Sequence, residues 1–358
     1  MNGETGVVSQ LADDADPEVQ RGLICRPARP EDRAAVTDLL SVTFDGWHGE
    51  FNEAVWSWKF LANPHGRALI WVADDGGRIA GCYILNPVML RAGEETVPGA
   101  QSVDAAVSTD YRGRGVFSSL AKAALKDAAD RGIRLVFAFP TQGAVGGQVR
   151  VGYKRHSRVP KTHRPLAWPA RRRRFDGFTL GGAETFDERF EVFSERGNGR
   201  GISVRRDAEY LEWRYNANPT QSYDTITCER GGQLCGYCVL EMAPAGRRLS
   251  QGYIIDLQVL PQAPSAAQFL VYHALARLRS MGAGAAMSWE RPDGPEQEAL
   301  RAFGFSSRYV SIKRRLTRPQ YVDEFIYYDG RGRAQPQLNG GARHSALWSL
   351  VPGDFDAI

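Results

Sequence analysis

The sequence has no apolar run near the roughly 18 residues that a membrane-spanning helix requires. It also lacks the apolar stretch of a secretory signal peptide, because its first residues include Asp13, Asp14, Asp16 and Glu18. Neither sign of charge is in large excess: the sequence has 45 Lys and Arg and 41 Asp and Glu, which gives a formal net charge of +4. That value is too small to indicate a nucleic-acid or membrane partner. We therefore expect a cytoplasmic protein without a membrane partner.

Cysteine is scarce. Five cysteines, an odd number at irregular spacing, argue against the disulfide framework of small secreted domains. Cys235 and Cys238 form one C-x-x-C, but no second pair completes a zinc site, and both lie in the apolar run 234–240. We expect buried strand thiols at these positions and no metal.

The composition is otherwise that of a globular protein, with 43% apolar and 24% charged residues. A length of 358 residues favours two core-forming domains. One segment recurs: residues 58–64 contain Trp-Lys-Phe followed by Asn-Pro, and residues 213–219 contain Trp-Arg-Tyr followed by Asn-Pro. Gly81 and Gly236 then follow at equal distances, and Asp104 and Asp256 further on stand in the same order. The sequence therefore predicts a duplicated α/β unit.

The repeat sets the expected domain limits. We expect a flexible N-terminus at 1–22, a first domain at 23–166, a linker at 167–174, a second domain at 175–316 and a tail at 317–358. The linker contains the one strongly basic run, Arg171–Arg174. A solvated linker, a site for RNA or an acidic partner, and a contact to the 3′-phosphate of coenzyme A remain alternative interpretations.

A glycine- and arginine-rich turn is the most informative local feature. Apolar residues recur at helical spacing between 117 and 128, a strand is predicted at 102–107, and residues 111–117 between them read Tyr-Arg-Gly-Arg-Gly-Val-Phe. A helix N-terminus presents unpaired amides, and glycine lets a phosphate approach the backbone. The turn is either a phosphate site or a simple strand-to-helix connection.

In this context the turn resembles motif A of the GCN5-related N-acetyltransferases (GNAT), Q/R-x-x-G-x-G/A, through Arg112 and Gly115. Phe117 departs from the small residue at the last position. The resemblance covers most of 23–166 and implies an α/β fold of two tandem GNAT-like domains, each a mixed, mostly antiparallel sheet flanked by helices. It also implies binding of acetyl-CoA or another acyl-CoA by the loop amides and the preceding strand, at Ala106, Val107, Arg112, Gly113, Arg114, Gly115, Val116, Phe117 and Ser118.

The second copy lacks this loop. Residues 261–266 read Pro-Gln-Ala-Pro-Ser-Ala, where proline cannot donate an amide and no arginine remains. We expect a catalytic first copy and a degenerate second copy kept for architecture or acceptor binding.

Acyl transfer to an amine requires a base, and the departing thiolate requires a proton. Family members often carry a carboxylate on the strand before the loop, which makes Asp104 the candidate base or water-holding residue; a structural role is the alternative, since Asp256 is its counterpart. Gln148 stands where the family often has a general-acid tyrosine, so solvent or Tyr153 would supply the proton. Acceptor contacts are expected at Asp45, Trp47, Glu50, Thr141 and Gln142.

The sequence thus predicts an acyl-CoA-dependent N-acyltransferase, specifically an N-acetyltransferase, for a small amine, an aminosugar or a natural-product intermediate. A Fem-like transferase that uses aminoacyl-tRNA is an alternative, in which Arg171–Arg174 would bind RNA. A non-catalytic acyl-CoA-binding module is another, motivated by Gln148.

Overall fold

The computed structural model describes residues 22–44, 53–158, 161–167, 174–197, 201–243, 250–291, 293–307, 324–330 and 348–354. These residues form two compact units. The first unit takes those within 1–89, 98–157 and 322–341, and the second takes those within 90–97, 158–321 and 342–358.

The first unit is a mixed sheet with helices. Its elements in chain order are β1 (Leu23–Pro27), α1 (Arg33–Thr43), α2 (Glu53–Trp56), β2 (Leu69–Asp75), β3 (Arg78–Ala92), β4 (Glu95–Val107), α3 (Val116–Asp130), β5 (Leu135–Ala138), α4 (Gln142–Arg150), β6 (Lys154–Arg158) and β14 (Glu324–Asp329). The strand order is β1-β2-β3-β4-β5-β14-β6, in which β4 and β5 are parallel and the pairs β1–β2, β2–β3 and β5–β14 are antiparallel.

The second unit repeats this plan with the strand order β7-β13-β12-β11-β10-β8, and its β12 and β13 are parallel. Strand β9 pairs with Leu90–Ala92, which belong to the same unit. The elements are β7 (Lys161–Pro165), β8 (Thr179–Gly182), α5 (Glu188–Arg196), β9 (Ile202–Val204), α6 (Ala208–Leu211), β10 (Asp224–Arg230), β11 (Gln233–Met242), β12 (Gln251–Val259), α7 (Ala266–Ser280), β13 (Ala285–Trp289) and α8 (Pro295–Ala302).

Local features recur in both units and confirm the expected fold class. The repeated aromatic segments form π-helical turns, Ser57–Leu61 and Glu212–Asn216. Each is followed by a hairpin whose two-glycine turn has positive φ at both residues, 60° and 99° at Gly76 and Gly77 and 58° and 78° at Gly231 and Gly232. A turn with two positive φ angles matches the twist of the strands that it joins.

Each sheet buries one face of a long helix. Of the residues that the sequence spacing selected in α3, Leu120, Ala124 and Ala128 are buried and Phe117 is half-buried, whereas the buried Val116 lies outside that selection. In α7 the corresponding face carries Leu270, Ala274 and Leu278. Cys235 and Cys238 are buried free thiols in β11, as the apolar run indicated.

The units differ from the expected segments at two strands. Strand β7 lies within the expected first domain, yet it pairs with β13 in the second sheet. Strand β14 lies within the expected tail, yet it pairs with β5 in the first sheet. A strand pattern in sequence shows that a segment is extended and does not show which sheet it joins.

Within the part of the chain that the structure describes, no helix has the length and apolar character to cross a membrane. The same residues contain no group of three or more His, Cys, Asp and Glu side chains arranged to hold a metal ion.

Candidate functional site

The turn between β4 and α3 has a conformation that requires its glycines. Gly113 has φ 76°, and Gly115, the N-cap of α3, has φ 75° and ψ 0°. Both lie in the left-handed region, which glycine adopts without steric cost. A Cβ at Gly113 would meet nothing within 4 Å, so the backbone angle and not space selects glycine there.

The turn presents hydrogen-bond donors. Among the described residues, the backbone amides from 113 to 118 donate to no acceptor. The first amides of a helix have no partner within the helix, and the helix dipole adds partial positive charge to them. The turn and the first turn of α3 therefore form a surface suited to an anion.

Two exposed arginines add full charges. Arg112 donates from Nε to the carbonyl of Val107 at 3.3 Å, and the Arg114 guanidinium lies 5.4 Å from the ring centroid of Tyr111. The Tyr111 hydroxyl in turn donates to Asp75 at 2.7 Å, which fixes the ring. Neither arginine pairs with a carboxylate within the described ranges, so both charges remain available to a ligand.

Beside this turn the sheet opens. Parallel pairing of β4 with β5 runs from Gly99 opposite Leu135 to Ser102 opposite Ala138, where β5 ends. Strand β4 continues to Val107, so residues 103–107 extend past β5. On that side these residues have no pairing with β5, and an extended ligand can form strand-like hydrogen bonds with such an unpaired stretch.

Asp104 lies in this extension in an unusual conformation. Its φ is 44°, and it is the one non-glycine residue of the described chain with positive φ. Its Oδ2 lies 2.6 Å from Nζ of Lys59, and the two side chains are only 7% and 6% exposed. The sequence identified Asp104 and missed Lys59, although Lys59 stands in the repeated aromatic segment.

Family and fold comparisons agree with this geometry. Residues 25–155 match the family model described as acetyltransferase (GNAT) domain. This matched segment, residues 25–155, is called the GNAT domain below. No curated protein sequence matches the chain.

Solved structures share the fold at low sequence identity. A GCN5-related N-acetyltransferase from Anabaena variabilis is similar with a TM-score of 0.65 and 15% identity, over 85% of this chain and 72% of that one. A probable N-acyltransferase from Enterococcus faecalis has a TM-score of 0.63 and 15% identity, over 87% and 73%. The N-myristoyltransferase of Saccharomyces cerevisiae, solved with bound myristoyl-CoA, has a TM-score of 0.54 and 13% identity, over 91% and 86%. Together, the family match and the shared fold support an enzyme of the N-acyltransferase class.

A buried polar network in the GNAT domain includes Ser102, where the pairing of β4 with β5 ends. Tyr83 donates to Oε1 of Gln148 at 2.9 Å, and its hydroxyl lies 2.9 Å from that of Tyr153. Gln148 donates to Ser102, the last paired residue of β4, at 3.3 Å. Burial raises the pKa of Tyr83 and raises that of Tyr153 well above its ordinary value. Both phenols therefore stay protonated, and Gln148 is satisfied by structural hydrogen bonds.

Phe117, which departs from the motif, fills space inside the GNAT domain. Its ring packs edge-on against Tyr83 with centroids 5.7 Å apart. A Cβ on Gly147 of α4 would lie 2.9 Å from the Phe117 ring. Gly147 thus leaves room for the Phe117 ring against α4. In the sequence this close contact is marked only by the pair Gly146-Gly147.

The expected acceptor residues fall into two groups. Thr141 and Gln142 are exposed at the start of α4, directly after β5. Because β4 and β5 are parallel, these residues lie at the same edge of the sheet as the β4 extension. Asp45, Trp47 and Glu50 lie outside the described residues, as does most of the Arg171–Arg174 run.

The second unit places its Asp256 in a different setting. Asp256 accepts from Nε of Arg206 at 2.6 Å and from the Tyr215 hydroxyl at 3.0 Å. Arg214, the counterpart of Lys59, donates instead to the carbonyl of Gly353 at 2.9 Å. The duplicated aspartates thus have different partners.

Proposed function

We propose that the protein is an acyl-CoA-dependent N-acyltransferase, specifically an N-acetyltransferase, whose reaction takes place in the GNAT domain. The observation that carries the proposal is the combination of unpaired loop amides, two exposed arginines and the adjoining extension of β4. The amides and arginines suit the phosphates of an acyl-CoA, and the β4 extension suits its amide-containing arm.

The donor would bind along this surface in sequence. The amides of residues 113–118, with Arg112 and Arg114, would hold the pyrophosphate of acetyl-CoA. The backbone of Ala106 and Val107 would pair with the amides of the pantetheine arm. That arrangement would bring the thioester toward Asp104 and the end of β5.

The transfer itself needs no metal ion. The lone pair of a neutral amine attacks the thioester carbonyl carbon, a C–N bond forms, and the C–S bond breaks to release the CoA thiolate. One proton leaves the amine nitrogen and one is taken up by the sulfur, so charge and atoms balance. The protein's task is to deprotonate the amine, hold it in line and supply the second proton.

Asp104 would accept the amine proton, directly or through a water molecule. The Lys59 ammonium favours the ionised carboxylate and fixes its orientation, so Lys59 acts as a positioning residue. Tyr153 is buried and hydrogen-bonded to Tyr83, and Gln148 has no acidic proton. We therefore assign protonation of the thiolate to solvent.

The acceptor would be a small amine, an aminosugar or a natural-product intermediate. Thr141 and Gln142 would contact it at the edge of the sheet. Asp45, Trp47 and Glu50 remain the candidates for recognition of its cationic and flat parts.

Turnover of acetyl-CoA with a panel of such amines tests the proposal, with thiol release and the mass of the acylated product as readouts. We expect Asp104→Asn to lower turnover by roughly 10²- to 10⁴-fold, the usual contribution of general-base catalysis, with acetyl-CoA affinity retained. Asparagine tolerates positive φ, so the strand conformation is preserved. Asp130→Asn, an exposed change in α3, is the matched control.

Two results would contradict the proposal. Tight acetyl-CoA binding without any acylated product would indicate a non-catalytic acyl-CoA-binding module. Product formed from aminoacyl-tRNA and not from acetyl-CoA would indicate the Fem-like alternative.

A further inference from the structure

A cavity of about 130 Å³ lies in the second unit, where its sheet opens. Parallel pairing of β12 with β13 ends at Tyr253 opposite Met287, and β12 continues to Val259. Gln258 and Val259 from this extension line the cavity, together with Pro261 and Pro264 from the segment that replaces the glycine-rich loop. The cavity therefore lies at the position that corresponds, in the first unit, to the extension of β4 past β5.

Positive charge dominates this lining. It contains four arginines and two carboxylates: Arg91, Arg205, Arg206, Arg291, Asp293 and Glu296. Arg205 forms two ion pairs, with 2.9 Å between its Nη2 and Oε1 of Glu191 and 3.2 Å between its Nε and Oδ2 of Asp207. Arg206 forms ion pairs with Asp256 and Asp354. Asp293 in turn pairs with Arg301 at 2.9 Å.

Arg91 and Arg291 differ from Arg205 and Arg206 in the groups to which they donate. Arg91 donates to the carbonyl of Gly197, and Arg291 donates to the carbonyl of Leu257 and, at 3.2 Å, to the Ser349 hydroxyl. Across the residues that the structure describes, neither guanidinium pairs with a carboxylate. A guanidinium has five N–H donors, so both side chains retain donors for a further acceptor.

Tyr237, a residue that lines the cavity, carries an unsatisfied hydroxyl. Tyr237 is 0% exposed, and its hydroxyl has no hydrogen-bond partner among the described residues. Burial, and then the nearby Asp256, raise the pKa of Tyr237 well above its ordinary value, so the hydroxyl keeps its proton. A buried hydroxyl without a partner costs free energy, and native proteins rarely leave one in that state. This donor therefore indicates an acceptor in the cavity.

We infer that the cavity binds the oxyanion head of a small molecule, a phosphate or a carboxylate, through the Tyr237 hydroxyl and the Arg91 and Arg291 guanidinium groups. At roughly 30 Å³ for each water molecule, the space corresponds to about four waters, which suits one such head. It is far below the roughly 300–1,000 Å³ of pockets that enclose whole drug-sized ligands. This site is lined by residues other than those of the proposed acyl-donor site, and it does not rest on the proposed acyl transfer.

Titration of the full chain with inorganic phosphate and, separately, with acetate tests the inference by calorimetry and by the shift of thermal unfolding. We expect one of the two anions to bind and to raise the unfolding temperature. The anion that binds more tightly identifies the head group.

Tyr237→Phe removes only the hydroxyl, which has no partner to lose among the described residues, so the variant is expected to fold. It should weaken anion binding at least ten-fold, because the lost hydrogen bond is to a charged group. Tyr223→Phe, which removes a hydroxyl bonded to Gln221 outside the cavity, is the matched control and should bind as the wild type does. Arg291→Met should also lose binding.

The inference is overturned if neither anion binds, or if Tyr237→Phe binds as tightly as the wild type. Acetyl-CoA affinity, measured in parallel, should be unchanged in Tyr237→Phe. That readout keeps a failure of this site distinct from a failure of the acyl-donor site.

Discussion

Glu241 is a buried acid whose protonation couples the stability of the second unit to pH. It is 5% exposed in β11, and its Oε2 has no hydrogen-bond partner in the described part of the chain. Burial raises its pKa from 4.5 to about 7, and Arg214 opposes that shift. Between these two values the folded chain holds a proton that the unfolded chain has released. Stability from this group is therefore present at low pH and falls as pH rises through this window.

We predict that Glu241→Gln removes this dependence. The variant should be more stable than the wild type at pH 8 by roughly 3 kcal/mol, since each unit of pKa shift corresponds to about 1.4 kcal/mol. The difference should vanish near pH 4.5. Denaturant unfolding at several pH values measures it, with exposed Glu209→Gln as the control. Equal stabilities of the variant and the wild type at pH 8 would show that the pKa of Glu241 is not raised in the folded chain.

At the scale of single residues, the sequence predicted which residue types occupy the site better than it predicted their side-chain partners. It placed Asp104 on the strand before the loop, but its ion pair with Lys59 joins residues far apart in the chain and depends on the folded π-helical turn. It recognised that Gln148 cannot act as an acid, yet not that Tyr83 and Ser102 satisfy it. Side-chain partners of this kind are set by tertiary packing, which periodicity does not encode.

The central hairpin strand of each unit contains a glycine at an unusually close approach. A Cβ on Gly236 would lie 2.7 Å from the Gln258 carbonyl and 2.8 Å from Val259. A Cβ on Gly81 would lie 3.0 Å from the Ala106 carbonyl and 3.1 Å from Leu120. Both sites bring β3 or β11 against its neighbouring strand and helix, which explains why the repeat has glycine in both copies.

We predict that Gly236→Ala lowers the free energy of unfolding by about 1–3 kcal/mol, the usual cost of overpacking, and that Gly81→Ala costs less. Gly146→Ala in α4 is the control, because its Cβ would meet nothing within 4 Å and alanine favours a helix. Equilibrium unfolding measures all three variants. An unchanged stability for Gly236→Ala would contradict the close approach.

At the scale of elements, the spacing of apolar residues predicts a helix or strand where that element buries one face. The spacing from Phe117 to Ala128 predicted α3. The Asp-Asp-Gly-Gly run at 74–77 is a typical hairpin signal, and it lies between the paired strands β2 and β3. The opening beside Ser102 was not predicted, because it arises where β5 ends while β4 continues. The apolar-rich run 133–140 is longer than the observed β5, so sequence alone does not mark where β5 ends.

At the scale of the molecule, the repeat predicted two copies, and two sheets of similar plan are observed. Strand β14 shows the limit of that prediction, since it completes the first sheet from beyond the second copy. Ile326 of β14 is fully buried opposite Ala138.

We predict that Ile326→Ala destabilises the first unit by about 2–5 kcal/mol, the cost of a cavity in a core. Leu180→Ala, at a side chain that is 45% exposed, should change stability by less than about 0.5 kcal/mol. A chain that ends at residue 316 should be less stable still, because β5 and β6 would lose the strand between them. Unaltered unfolding of the truncated chain would contradict the assignment of β14 to this sheet.

The most direct test of the acyl-donor site is a calorimetric titration of the full chain with acetyl-CoA. We expect micromolar binding at one site, weakened at least ten-fold in Arg112→Ala/Arg114→Ala, because two charge-assisted contacts to the pyrophosphate are lost. Arg131→Ala/Arg150→Ala, which removes two exposed arginines away from the loop, should bind as the wild type does. No binding to the wild type, or equal binding to the loop variant, would contradict the account.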